Sequence, residues 1–285
     1  MGSSRHSLPI TCGRCPRFGR PARAAGRHYG GSHGPAGYLC RMGHSFSTIS
    51  DPLGQALLAY QRGHHSATLT VHSNVAGEEP LPAAYFFRSV GEMPELERTA
   101  LDECRGHVLD LGAGAGCHAL ELQQRGFRVT AVDISPGAVQ VMRERGVQHV
   151  AHHNIFDHDL ARGDNYDTIL MLMNGIGLTG TLGGLEQFLA RARQLLAPGG
   201  QILATSSDIS YLYEDEEGAL VFNLNGPYYG EVEYTMQYGS ETGPPFHWVF
   251  ADPSLLQDYA EAAGYRVEFL EEDDQQQYLV RLTVR

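Results

Sequence analysis

Two acids, Asp110 and Asp133, each close a short apolar run, and three alternating glycines, Gly112, Gly114 and Gly116, follow the first of them. Residues of these types at this spacing suit ligand binding more than bond breaking. Glycine at every second position lets a backbone turn sharply and lie close against a ligand. The loop amides, and those of the helix that starts beside Cys117, then point into the crevice. A carboxylate directly ahead of the loop repels a pyrophosphate but not a cationic ligand end. A carboxylate after the second run can take both hydroxyls of a ribose, although Ser135 and Pro136 would make it a helix cap in any case. The dinucleotide fingerprint asks for a third glycine where Cys117 stands. A nicotinamide oxidoreductase is therefore the weaker reading of the loop.

Positioning these residues requires strand, turn and helix in alternation. Val108 to Leu111 and Val129 to Asp133 read as buried strands separated by a helix from Ala119 to Arg125. A helix from Pro136 to Arg145 and a third strand near Gln148 to His152 follow. Tyr166 to Met173 is a fourth strand ending at the polar amide of Asn174, and Gly175 to Gly180 reads as a flexible loop over the site. Leu182 to Leu196 carries an apolar helical stripe, and Pro198-Gly199-Gly200 turns into a fifth strand ending at Ser206-Ser207-Asp208. The alternation then stops. Gly230 to Tyr238 and Phe246 to Phe250 read as strands flanking a turn, so residues 209–251 are expected to form an inserted hairpin. A helix (Pro253 to Ala263) and two strands (Tyr265 to Leu270, Tyr278 to Val284) complete the chain.

From about Pro94 to Arg285 this pattern resembles the class I S-adenosylmethionine-dependent methyltransferases. The resemblance rests on the D-L-G-A-G-A-G loop, the V-D-I-S strand end and the L-A-P-G-G turn. It implies an α/β, doubly wound, mostly parallel sheet of seven strands in the order 3-2-1-4-5-7-6, with the last strand antiparallel. It also implies S-adenosylmethionine as cofactor. Asp110, Gly112, Ala113, Gly114 and Gly116 would cradle its amino-acid part, and Asp133 with Ile134 would hold the ribose. Asn154, Ile155 and Phe156 would meet the adenine, with Met173 and Asn174 nearby. Many members carry an acid where this chain has Asn154; an amide oxygen can accept the same hydrogen bond, and Asp157 is a second candidate. Gly175-Ile176 stands where amino-methylating members often keep a proline pair, which argues against nucleic-acid bases or protein amides as acceptors.

Composition narrows the partners. All 21 basic residues are Arg, and seven of them precede the first acid, Asp51. The remaining 14 face 33 acids, so the body from Met42 onward carries a net −19 and repels phosphate backbones. A lysine-free acidic surface fits either a high-salt cytoplasm or a coding bias toward Arg. No run approaches the about 18–20 apolar residues of a membrane span, so a cytoplasmic enzyme acting on a small molecule is expected, with no nucleic-acid, membrane or metal partner. Residues 1–45 are rich in Gly, Ser, Arg and Pro without helical or strand period, and are expected to be a disordered tail or an extension ahead of Met42. Cys12, Cys15, His28 and His33 have zinc-finger spacing there but little around them to form a core.

Residues 46–93 are expected to form a lid. Leu53, Ala56, Leu57 and Tyr60 share a helical face, Thr68 to His72 alternates like an edge strand, and Tyr85 to Arg88 form an aromatic cluster that either packs against the sheet or, as the resemblance implies, covers the cofactor through Tyr85 and Arg88. His149, His152, His153 and His158 do not share one strand face and read as loop histidines. Transfer from a sulfonium needs alignment and exclusion of water more than an acid–base pair. Substrate-facing candidates are Asn174, Tyr229, Glu231 and His247, with His118 as a base or a pocket lining. A non-catalytic cofactor-binding regulator would show the same glycine loop.

Overall fold

A computed structural model describes residues 50–161, 165–215, 217–223 and 225–285. The expectations for residues 1–45, including the cysteine–histidine spacing, lie outside these. Ahead of the main sheet come α1 (Pro52–Gln61), β1 (Thr68–Ser73), β2 (Gly77–Pro82) and α2 (Glu95–Asp102). The alternating core runs β3 (His107–Leu111), α3 (Cys117–Gln124), β4 (Arg128–Asp133), α4 (Pro136–Glu144), β5 (His149–His152), β6 (Tyr166–Met171), α5 (Leu182–Leu195) and β7 (Leu196–Ser207). It is followed by β8 (Glu231–Tyr238), β9 (Glu241–Thr242), β10 (Phe246–Val249), α6 (Pro253–Ala262), β11 (Tyr265–Glu272) and β12 (Gln277–Val284).

Seven strands form one sheet in the order β11-β12-β7-β6-β3-β4-β5. Numbered within the sheet, that is 3-2-1-4-5-7-6. The five strands from β7 to β5 pair in parallel, and β12 runs antiparallel to both its neighbours. Alternate residues of the central strands face opposite layers, as a period of two requires. Val108, Val129 and Leu170 pack with Leu96, Leu101, Leu122 and Met142 from α2, α3 and α4. Leu109, Ile169 and Ile202 pack with Leu185, Phe188 and Leu189 of α5 and Leu256 of α6. Strands buried on both faces read as continuous apolar runs, which is why the sequence located them. Among the described residues no helix is long and apolar enough to cross a membrane.

The inserted hairpin does not stand alone. β8 pairs with β10 on one side and with β1 on the other, giving a second, antiparallel sheet in the order β10-β8-β1-β2 with β9 beside β8. The expected edge strand β1 is thus interior, and the edge is β2, where Pro80 and Pro82 forgo ladder donors at no cost. Segments separated by about half the chain meet here, and no local pattern announces such pairing.

α1 lies against α4, where Gly54 and Gly137 meet backbone to backbone; a Cβ on either would penetrate the other. Asp51 fastens this crossing. Its Oδ1 accepts from Gly54 N at 2.9 Å, and its Oδ2 accepts from Ser135 Oγ at 2.8 Å and Gly137 N at 3.0 Å. One carboxylate caps two helices. Asp51→Ala should cost about 2 kcal/mol, one ordinary N-cap loss at each helix, read as a lowered denaturant midpoint at unchanged slope. A loss under about 0.5 kcal/mol would show that water replaces the carboxylate at both caps.

Candidate functional site

The glycine loop leaves β3 at the carboxyl edge of the sheet. Gly112, Gly114 and Gly116 have φ of +71°, +56° and +79°, a region side chains rarely adopt. They are also crowded: added Cβ atoms would stand 2.8 Å from Leu178, 3.1 Å from Phe86 and 2.9 Å from Val147, respectively. Phe86 and Leu178 therefore wall the loop from the pre-sheet segment and from the turn after β6. Gly112 N and Ala113 N donate to Val132 O at 2.9 and 3.1 Å, tying the loop to β4.

Asp133 ends β4 and is buried. Its Oδ2 accepts from Gly114 N and its Oδ1 from Ser135 N, both at 2.8 Å. Burial pushes its carboxyl up from the usual range, and these amides work the other way. Ile134 beside it is 62% exposed, unusual for an isoleucine at a sheet edge and suited to covering a flat ligand ring. Phe156 is half-buried and Ile155 buried. Asn154 is exposed; its Oδ1 accepts from Phe156 N at 2.9 Å, while Asp157 Oδ2 accepts from Asn154 N at 2.9 Å. Both candidate adenine acceptors are thus engaged in one local turn, each with lone pairs to spare.

Asp110 is 2% exposed, and its Oδ2 is buried without a hydrogen-bond partner. Desolvation pushes its carboxyl up to about 6; the nearby His118 charge lowers it and Asp133 raises it. A chain of buried charges leads away from it. His118 Nε2 lies 2.7 Å from Glu97 Oε2, and Arg88 Nη2 donates to both Glu97 oxygens at 2.9 and 3.0 Å. Burial opposes a charge on His118, but Cys117, Glu97 and Asp110 raise its pKa well above the ordinary imidazole value. Burial likewise opposes charge on Glu97, yet His118 and Arg88 hold its carboxyl below the usual range. Arg88, Glu97, His118 and Asp110 therefore alternate in sign from the segment ahead of α2 to the loop. His118, expected as a base or a pocket lining, has its Nε2 engaged by Glu97.

Met173 and Asn174 follow β6 with φ of +58° and +56°, two successive non-glycine residues in the left-handed region. Asn174 N donates to Thr205 Oγ1 at 2.9 Å, and Ser207 Oγ donates to Asn174 Oδ1 at 2.7 Å. Asn174 and Ser207 line a cavity of about 560 Å³ between the two sheets. The other substrate candidates are not among its lining. Tyr229 gives its hydroxyl to Asp208 and stacks on Phe222 at 4.7 Å, and Glu231 Oε1 accepts from Leu182 N at the start of α5. His247 is exposed and packs beside Gly180. The polar groups of Tyr229 and Glu231 are thus engaged within the protein. The cavity's true lining comes partly from residues the sequence did not single out: Ser73 to Glu79 of the β1–β2 hairpin and Asp274 to Gln277 between β11 and β12. Only the left-handed Gln276 (φ +60°) marks the latter, and no sequence signal marks either.

An unpartnered buried carboxylate oxygen beside a backbone hollow that any Cβ would fill suits the ammonium end of an amino acid. A sheet-edge acid and an exposed isoleucine next to it suit a nucleoside. This is the site of a class I S-adenosylmethionine-dependent methyltransferase. Residues 108–200 match the family described as methyltransferase domain. The chain is 43% identical to a SAM-dependent methyltransferase from Bacteroides fragilis, solved in complex with S-adenosyl-L-homocysteine, over 82% of this chain and 95% of that one (TM-score 0.76). It is 32% identical over 99 residues, 34% of this chain, to a demethylmenaquinone methyltransferase of Tropheryma whipplei. It is 29% identical over 148 residues, 52% of this chain, to a malonyl-[acyl-carrier protein] O-methyltransferase of Serratia marcescens. These two matches span 39% and 55% of the curated relatives. The chain belongs to the SAM-dependent methyltransferase family, and S-adenosylmethionine is its cofactor.

Proposed function

We propose that this chain transfers a methyl group from S-adenosylmethionine to a nitrogen or oxygen atom of a small molecule held in the cavity beside Asn174. The observation that carries the reading is that cavity of about 560 Å³, which is sized for a small molecule and is lined by Asn174 at the end of β6, the strand that pairs with β3. Bound cofactor supplies a methyl on a sulfonium, already activated. The protein's own part is to hold and orient. Asp110 faces the cofactor's ammonium, and Gly112, Ala113, Gly114 and Gly116 lie along its amino-acid part. Asp133 takes the ribose, Ile134, Ile155, Phe156 and Asn154 take the adenine, and Met173 and Asn174 separate cofactor from acceptor.

The test is to incubate the purified chain with methyl-labelled cofactor and a fractionated cell extract. Label is expected in the fraction under about 1 kDa. Label in the protein or nucleic-acid fraction, or none in any, would defeat the reading.

The ionisation of Asp110 adds a pH dependence. Its folded-state value of about 6 means that a proton must leave before an ammonium is well bound. His118 and Asp133 act on it in opposite senses, His118 lowering its carboxyl and Asp133 raising it. Affinity for S-adenosylhomocysteine should therefore fall as pH drops through about 6, toward tenfold per unit below it. Calorimetry at pH 5 and pH 7.5 checks this; equal affinities would remove Asp110 from the ammonium site.

A further inference from the structure

The acceptor cavity has a chemistry of its own. Tyr211, Tyr234 and Phe250 form an aromatic side of it, with Tyr234 stacked on Phe246 at 5.9 Å. Val232 and Ile209, both buried, form an apolar floor. Among the described residues, the charged ones in its lining are Glu79 and Asp274, with no arginine and no histidine. Aromatic faces with carboxylates at the rim attract ammonium groups, the ring face through its quadrupole. The acidic body adds a field of the same sign. An anionic acceptor would be repelled by both carboxylates, with only neutral donors such as Asn174, Ser207 and Gln275 to offset its lost hydration.

The same lining bears on which atom is methylated. A hydroxyl is a poor nucleophile until a base takes its proton, and no imidazole lines the cavity. Burial pushes the Tyr234 hydroxyl up to about 12, so it stays protonated at neutral pH. An amine needs no such base once it has shed its ammonium proton, which a rim carboxylate or water accepts.

Resting on the methyltransferase reading, we infer that the acceptor is an aliphatic amine carrying no anionic group, bound as its ammonium between the aromatic side and the Glu79–Asp274 rim. In the transfer, the neutral amine's lone pair forms the new N–C bond while the S–CH3 bond breaks and its electron pair stays on sulfur. The product leaves as the N-methylammonium, and the one proton released overall is the one shed before the transfer. Atoms and charge balance without a further reactant.

Three probes of nearly equal shape test this: phenethylamine, phenethyl alcohol and phenylacetate, each titrated by NMR into the protein saturated with S-adenosylhomocysteine. The expected result is binding of the amine at least tenfold tighter than the carboxylate, with the alcohol between. Glu79→Gln combined with Asp274→Asn should narrow the amine–carboxylate gap by at least threefold at an unchanged melting temperature. With S-adenosylmethionine in place of the product, mass spectrometry should find N-methylphenethylamine and no methyl ether. Carboxylate binding as tight as amine binding, methylation of the alcohol in preference to the amine, or no binding of any probe would overturn the inference. S-adenosylhomocysteine affinity, measured in the same samples, separates this from failure of the methyltransferase reading: if that affinity is absent, the cofactor site itself is wrong.

Discussion

Glu97→Ala should destabilise the folded chain by about 3–5 kcal/mol, the usual cost of removing one member of a buried charge network. Glu97 is 2% exposed and holds two cations at once, Arg88 through both oxygens and His118 through one. Its loss leaves a guanidinium and an imidazolium inside the protein with no counter-charge from α2. His118 would then shed its proton at lower pH, which removes a positive neighbour from Asp110 and raises that carboxyl further. The Ala variant is therefore expected to lose affinity for S-adenosylhomocysteine at neutral pH beyond what its stability loss explains. Glu97→Gln, which keeps hydrogen bonds but not charge, should recover part of the stability and little of the affinity. Chemical denaturation and calorimetry at pH 7.5 measure both. A Glu97→Ala protein within about 1 kcal/mol of the parent would mean that water enters and solvates the two cations.

Gly114→Val should abolish cofactor binding, lowering affinity by at least about 100-fold, or about 2.7 kcal/mol. Two independent causes add here. A β-branched residue at φ +56° is strained by about 1–2 kcal/mol. Its Cβ would also stand 3.1 Å from the Phe86 ring, pushing the lid residue from the loop that it walls. Gly126→Val supplies the control. It has φ +89° but nothing within 4 Å of a Cβ, so it carries the strain without the obstruction. That variant should lose stability and keep affinity. If both variants bind S-adenosylhomocysteine like the parent, the glycine loop is not where the amino-acid end lies.

Some of this was legible before any fold was known. Asp110, the three glycines and Asp133 are adjacent along the chain to the strands that present them, so spacing alone reports their geometry. The central strands β3, β4, β6 and β7 were legible because burial on both faces makes them apolar runs, and their crossovers are local. The L-A-P-G-G run at Leu196 to Gly200, expected as a turn ahead of a strand, marked β7 and forms its first five residues.

The amino-acid sequence by itself determined the cofactor corner, because strand, turn and helix there are contiguous and each obeys a short-range rule. Tertiary structure alone decided the rest of the site. The second sheet joins β1 to β8 across the whole nucleotide-binding core. It thereby brings Glu79, Tyr234 and Gln276 to one cavity with Asn174. Folding also set His118 against Glu97, a partner that arrives from a different helix. Pairings between distant segments are selected by complementary surfaces that exist only once the chain has folded, and no periodicity in the sequence encodes them.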